Sequence, residues 1–359
     1  MCRDIANGGR RCPSHTNPVL IASRNAKRRE AYAKNKGLIL PGQKNNLGLV
    51  KYENSVHNTF TQNQTVTGVI DYEKLNSESY KEFGFQEINE PRSMFTLEQI
   101  QENSSRDIDS LPLEEKAALR YYTSTDYEWV NTALYGDGTY HRKGEPSDVR
   151  EHQKYFVDEK LDLVEHRHIV YGPDKTADFL KEVTSHLDNG LRKYSGNQRI
   201  VYRGIGELNG ALADFKKKPN PFTAYIDEKL PLGQEVVFDG YMSTSIQASV
   251  ALNYTVRRQG IIFEILTASA TNVTQISEYK EEREALVSRN TRFVVVGVHK
   301  GTTYGVGPGK HNSYENMNIV QLVEIDDTGS VAVNANTNLP ELTDKQLYPP
   351  DVQKRAWDA

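Results

Sequence analysis

Arg199-Ile-Val-Tyr-Arg203, with Gly204 at its end, is where the chain changes character. The run is short, β-branched and aromatic, which is the composition of a strand, and the glycine interrupts it. Further strand-like runs follow at Glu235-Val-Val-Phe-Asp-Gly-Tyr-Met-Ser-Thr-Ser245, Ile261-Ile-Phe-Glu-Ile-Leu266, Arg292-Phe-Val-Val-Val-Gly-Val298 and Asn318-Ile-Val-Gln-Leu-Val-Glu-Ile325. Upstream the periodicity is helical. Ser110-Leu-Pro-Leu-Glu-Glu-Lys-Ala-Ala-Leu119 has a proline near a helix start and acids in the first turn. Thr125-Asp-Tyr-Glu128 reads as a capping box. It opens a helix on which Tyr127, Val130, Asn131 and Leu134 share one face, so Asn131 needs a polar partner there. Gly136–Tyr171, charged and rich in histidine, reads as a helical insertion. Another helix spans about Asp174 to Asp188 and stops near Asn189-Gly190. A helical block followed by strands, without regular βαβ alternation, predicts an α+β fold with a mixed sheet.

Composition narrows the class. The chain has 359 residues, 37% of them hydrophobic, and a formal net charge of −4. No apolar run approaches the roughly 18–20 residues that span a bilayer, so no membrane association is expected. The first residues carry no apolar stretch behind their charges, which predicts no signal peptide and a cytoplasmic protein. Two cysteines, Cys2 and Cys12, exclude a disulfide scaffold and a four-cysteine zinc site. Residues 1–50 hold ten basic and two acidic side chains; ten minus two is +8, which leaves −12 for 51–359. Such a basic arm suits a solvated tail, and also nucleic acid or an acidic partner surface. The expected organisation is therefore an arm over 1–50, a polar, loosely packed region over 51–109 with a short helix near Leu97–Glu102, a catalytic domain over 110–330 and a tail over 331–359.

Several motifs fail on inspection. Gly305-Val-Gly-Pro-Gly-Lys310 lacks the first glycine and the final Ser or Thr of a phosphate loop, and no helix follows, so it reads as a hairpin loop. His166 and His168 lack partners at metal-ligand spacing. Cys2, Cys12 and His15 lack a fourth ligand. No metal is expected.

Three separated elements form a coherent set: Tyr202-Arg203-Gly204, Ser243-Thr244-Ser245, and Glu282-Arg283-Glu284 preceded by Tyr279. Taken singly they read as a surface ion pair, a turn and a solvated strand face. Together, each at a strand edge and in this order, they resemble the arginine, Ser-Thr-Ser and Glu-x-Glu signature of ADP-ribosyltransferases related to the catalytic components of clostridial binary toxins. Bacterial and phage enzymes share that pattern. The resemblance covers roughly Ser110 to Asp326. It implies a split β core of two packed sheets flanked by helices. It also implies an opening helix that supplies Tyr122, Tyr127 and Asn131 to the nucleotide, and an acceptor-recognition loop containing Tyr279.

The co-substrate implied is NAD. Arg203 offers a fork of donors for the pyrophosphate. Gly204, in the resembling family, holds the nicotinamide amide through its backbone. Breaking the nicotinamide–ribose bond builds positive charge on the ribose. An ionised Glu284, oriented by Ser243, stabilises that charge through the ribose 2′-hydroxyl, while Thr244 and Ser245 fix the strand end. Alternation along a strand is expected to aim Glu282 and Glu284 to one side. In the family, Glu two residues before the catalytic glutamate goes with arginine acceptors, so the expected partner is a target protein presenting an arginine. A guanidinium needs a proton removed before it attacks, and Glu282 is the base at hand. An NAD glycohydrolase would use the same site, and a non-enzymatic module would have no need to keep Arg203, Ser243 and Glu284 together.

Overall fold

A computed structural model describes residues 65–127, 130–131, 134, 173–193, 198–208, 211–212, 221–255, 260–306 and 313–333. All fall within the unit His57–Ala359. The basic arm 1–50, the insertion Gly136–Tyr171 with His166 and His168, the Cys2, Cys12 and His15 set, and most of the tail 331–359 lie outside the described residues. No described helix is long and apolar enough to cross a membrane.

The helices are α1 (Leu97–Ile108), α2 (Leu113–Tyr121), α3 (Pro173–Lys193), α4 (Pro221–Lys229) and α5 (Ala248–Ala251). The strands are β1 (Arg199–Ile205), β2 (Glu207–Leu208), β3 (Ala211–Leu212), β4 (Glu235–Phe238), β5 (Met242–Ser245), β6 (Ile261–Thr267), β7 (Thr271–Asn272), β8 (Glu284–Val287), β9 (Thr291–Gly305) and β10 (Ser313–Ile325). Eight of them form a mixed sheet in the order β4-β9-β10-β6-β1-β5-β8-β7, and β2 and β3 form a separate ribbon. The fold is thus α+β, as the residue pattern predicts. Among the described strands, β6 and β10 pair in parallel and the other ladders of this sheet are antiparallel.

The sheet is split. β1 and β5 meet through one residue pair, Tyr202 with Ser245, whereas β1 pairs with β6 along its whole length. Five strands therefore lie on one side of a seam and β5, β8 and β7 on the other. One apolar cluster, which includes Val201, Phe263, Ile265 and Leu322 from one part and Met242, Ala285 and Val287 from the other, holds the two parts together. Because a ladder that opens at its strand ends leaves polar groups unpaired, such a seam is a natural position for a site.

Four expectations are corrected. First, Glu235–Ser245 is two strands: β4 pairs with β9 at the sheet edge, and β5 lies at the seam. The chain bends at Asp239-Gly240, just before Tyr241, whose buried hydroxyl donates to Asp188 Oδ1 at 2.6 Å. Second, Gly204 does not end β1, because it pairs with Ile262 and the strand runs on to Ile205. Third, α3 does not stop at Asn189-Gly190. Leu187 and Leu191, one turn apart, are both buried and carry the helix through. A β-carbon at 190 would sit 3.5 Å from Glu115 Cβ and Leu119 Cδ1, so the glycine marks close packing of α3 on α2.

The fourth correction concerns residues 65–109, which are integral rather than loosely packed. Tyr80, Phe83, Phe85 and Ile88 belong to one buried cluster with Val294, Val296, Ile319 and Val323. Arg92, 1% exposed, donates through Nε to Glu264 Oε1 at 2.6 Å. Helix α1 extends to Ile108 because Ile100 and Ile108 are buried and Ser104 Oγ donates to the Asn272 carbonyl at 2.8 Å. The resemblance had begun only at Ser110.

Candidate active site

At the seam lies a cleft of about 260 Å³. Tyr122, Tyr127, Asn131, Arg203, Gly204, Ser243, Thr244, Ser245, Tyr279, Glu282 and Glu284 all line it. Arg203, the Ser243-Thr244-Ser245 run and Glu284 meet here because β1, β5 and β8 are neighbours in the sheet.

Arg203 comes from β1. Its Nη1 donates to the Ser243 carbonyl at 2.6 Å, which presents a fixed guanidinium fork to the cleft. Gly204 follows, and its lack of a side chain has a packing cause. A β-carbon there would lie 1.9 Å from the Ala251 carbonyl oxygen. The backbone of α5 therefore sits directly on Gly204, a contact that no larger residue permits.

The three hydroxyls of β5 act on the segment that carries the glutamates. The Ser243 side chain hydrogen-bonds the Glu284 carboxylate. Thr244 Oγ1 donates to the Ala285 carbonyl at 2.5 Å. Ser245 Oγ donates to the Glu282 carbonyl at 2.8 Å and accepts from Gln247 N–H at 3.1 Å. The Ser-Thr-Ser run thus clamps both the carboxylate and the backbone around it.

Glu282 and Glu284 both reach the cleft, but not through strand alternation, and that expectation is corrected. β8 starts at Glu284; Glu282 belongs to a 3₁₀ turn, Lys280–Glu282. Arg283 between them is left-handed, with φ 50° and ψ 48°. This kink, rather than the pleat, brings the two side chains to one cavity.

Glu284 is 4% exposed. Burial raises its carboxyl to about 8, and the charge of Glu282 adds to the rise. Hydrogen bonds from Ser243 and Ser277 and the charge of Arg203 oppose it. In the free protein at neutral pH this carboxyl is therefore largely protonated. A cation brought beside it would favour the ionised form.

The opposite wall comes from the end of α2. The helix widens at Tyr122–Asp126 and breaks at Ser124 (ψ −166°) before helical backbone resumes at Tyr127. Val130 and Leu134 then pack into the core beside Tyr121 and Leu180. Asn131 finds the partner it needs: its Nδ2 contacts Tyr122 Oη at 2.8 Å and the Tyr241 carbonyl at 3.2 Å. Tyr122 Oη donates to the same carbonyl at 2.9 Å. Asn131 lines the cleft wall, and its Oδ1 is buried without a hydrogen-bond partner among the described residues.

Sequence reasoning missed two residues. Tyr254 lines the cleft. Although the residue is half-exposed, desolvation, then the charge of Glu282 and the hydrogen bond to it, push its phenol above the ordinary range. Ser277, 1% exposed, favours the ionised form of Glu284. Neither stands in a recognisable motif; an aromatic soon after the Ser-Thr-Ser run was the available signal for Tyr254. Among the described residues, no group of three or more His, Cys, Asp or Glu side chains is placed to hold a metal ion.

Residues 82–326 match the family model described as ADP-ribosyltransferase exoenzyme. No curated protein matches the sequence. Among solved structures the chain is similar to the enzymatic component C2-I of the C2 toxin from Clostridium botulinum. The identity is 18% and the TM-score 0.39, over 65% of this chain and 47% of that one. It is also similar to the Clostridium limosum C3 exoenzyme, at 14% identity and TM-score 0.42, over 66% and 98% of the two chains. A third similarity is to Plx2a from Paenibacillus larvae, at 18% identity and TM-score 0.40, over 64% and 96%. The aligned part thus spans about half the length of C2-I.

Proposed function

Because the chain belongs to the ADP-ribosyltransferase exoenzyme family, we propose that it cleaves NAD at the nicotinamide–ribose bond and transfers ADP-ribose to an arginine of a target protein. The observation that carries this reading is the gathering of Arg203, Ser243, Glu282 and Glu284 at one cleft.

In this reading Arg203 pairs with the pyrophosphate of NAD, and Asn131, Tyr122 and Tyr127 line the nucleotide side. The ring nitrogen of nicotinamide is cationic, so its approach draws Glu284 into the ionised form. The C1′–N bond then breaks with its electron pair returning to nicotinamide, and positive charge develops on the ribose. Glu284, hydrogen-bonded through the 2′-hydroxyl, stabilises that charge most where it is greatest, in the transition state. Glu282 removes a proton from the incoming guanidinium as its nitrogen bonds to C1′. Its half-exposed position at the mouth suits an acceptor that arrives from outside.

The test is incubation with NAD labelled in the adenosine part and with agmatine or arginine-bearing proteins as acceptors. Wild type should release nicotinamide and label arginine. Glu284→Gln should lose both reactions, while Glu282→Gln should lose transfer by about 10²–10⁴-fold and keep hydrolysis. Label on another residue type would overturn the acceptor assignment. Nicotinamide release with no labelled acceptor would reduce the activity to hydrolysis.

A further inference from the structure

We propose that Arg120 and Thr123 are positioning residues for the acceptor: from the end of α2 they hold the segment that carries Glu282 to the mouth of the cleft. The inference rests on the reading of Glu282 as the group that meets the incoming guanidinium, and it adds two residues that no motif marks.

Residues 273–283 connect β7 to β8 without joining a ladder, so their backbone groups need other partners. Each N–H from Val273 to Tyr279 has one. Val273 N–H donates to the Glu284 carbonyl at 3.0 Å, and those of Ile276 and Ser277 donate to the Val273 carbonyl at 3.0 and 2.9 Å. Thr274 and Tyr279 use side chains close by in the chain, Asn272 Oδ1 and Ser277 Oγ, each at 3.1 Å. Gln275 N–H reaches Ser104 Oγ on α1 at 3.0 Å. Glu278 N–H donates to Thr123 Oγ1 at 3.3 Å. The Ile276 carbonyl, two residues earlier, accepts from Arg120 Nη1 at 2.8 Å.

Arg120 and Thr123 form one bracket. The Thr123 hydroxyl gives its single proton to the Arg120 carbonyl at 2.9 Å, which leaves a lone pair for the Glu278 N–H. The Arg120 side chain meanwhile reaches past it to Ile276. Both contacts lie just upstream of Tyr279, whose carbonyl accepts from Glu282 N–H at 2.9 Å and so starts the 3₁₀ turn. Ser245 Oγ, donating to the Glu282 carbonyl at 2.8 Å, holds the far end of that turn. A shift at Glu278 is therefore passed on to Glu282. Glu284 is insulated from it, because β8 has its own ladder to β5, with Glu284 opposite Ser245. Loosening the bracket should disturb the group that meets the acceptor and spare the one that acts on NAD.

The experiment compares the full chain with Arg120→Met, which keeps an unbranched stem and removes the donor, and with Thr123→Val and Thr123→Ser. Each protein receives NAD with and without agmatine. Arg120→Met should raise the agmatine KM about tenfold, the loss of one hydrogen bond from a charged group. Its NAD hydrolysis without acceptor should stay within about twofold of wild type. Thr123 itself lines the cleft, so its variants are read by the ratio of transfer to hydrolysis: Val should lower it and Ser should restore it. Amide hydrogen exchange at residues 273–282 should quicken in Arg120→Met and Thr123→Val, with the β5–β8 ladder unchanged. An unchanged agmatine KM in Arg120→Met, equal losses of hydrolysis and transfer, or a Thr123→Ser no better than Val overturns the proposal. If Arg120→Met does not fold, the two Thr123 variants carry the same comparison. If wild type labels a residue type other than arginine, the ratio is read with that acceptor. A wild type that cleaves no NAD sinks the proposed function, and exchange then decides alone: quickening confined to 273–282 upholds the bracket, and unchanged exchange overturns it.

Discussion

Glu284 is the residue on which the proposed chemistry turns, and its environment has a thermodynamic signature. Its folded carboxyl titrates at about 8 because burial outweighs the hydrogen bonds that favour its charge. An unfolded glutamate titrates near 4.3. Between those values the folded state binds the extra proton, so stability falls as pH rises through the window and the cost is complete above the folded value. Glu284→Gln should therefore be more stable than wild type at pH 8.5, by on the order of a few kcal/mol, with the difference vanishing near pH 4. Denaturant titrations of both proteins at the two pH values measure it. Arg283 is the second residue with a stored cost. A left-handed non-glycine backbone is strained by about 1–2 kcal/mol, and its Nε is buried without a hydrogen-bond partner among the described residues. Arg283→Gly should at least match wild-type stability. Arg283→Val, which resists positive φ, should lose about 1–2 kcal/mol and should uncouple Glu282 from the cleft. Denaturation and the transfer-to-hydrolysis ratio read the two effects.

At the scale of elements, the decisive contact is α5 against β1. The Ala251 carbonyl occupies the place where residue 204 would carry a β-carbon, so Gly204→Ala forces helix and strand apart. We expect a loss of about 1–3 kcal/mol together with loss of NAD cleavage, since Tyr254, Arg203 and Ser243 all lie beside that contact. Stability retained within about 0.5 kcal/mol, read by thermal and denaturant unfolding, would contradict it. The same scale shows why local signals misplaced two boundaries. Asn189-Gly190 carries a helix-stop pattern, yet the burial of Leu187 and Leu191 against α2 outweighs it. Glu235–Ser245 is uniformly strand-prone, yet its two parts bond to different neighbours, and propensity does not register partner choice.

For the molecule as a whole, the segment before Leu113 stabilises the sheet from behind. Arg92 pairs with Glu264 on β6, which also accepts from Tyr304 Oη at 2.9 Å and from Gln321 Nε2 at 2.8 Å. Tyr202, which lines the cleft, stands next to this network; burial first, then the Glu264 charge, pushes its hydroxyl upward. Arg92→Ala would strand a buried carboxylate, and we expect a loss of about 3–5 kcal/mol. A double change of Arg92→Met with Glu264→Gln should recover much of it, because the cost lies in the unpaired charge rather than in the missing contact. Equilibrium unfolding of the three proteins tests this.

Residue order alone was enough for the fold class, and the resemblance it carries was enough to expect Arg203, Ser243, Glu282 and Glu284 at one cleft, where the structure has them. Strand composition and the types of side chain a reaction needs are local properties, readable one segment at a time. The stripe Tyr127, Val130, Asn131 and Leu134 was legible for the same reason. The places of Tyr254, Arg92 and Gly204 were not, since each is set by an atom from a distant segment: a carboxylate, a buried counter-charge, a backbone carbonyl. Nor could the chain show that Glu282 and Glu284 meet through a left-handed kink rather than a pleat. A φ angle of 50° at an arginine is unfavourable on its own, and only the bonds of the surrounding turn hold it there.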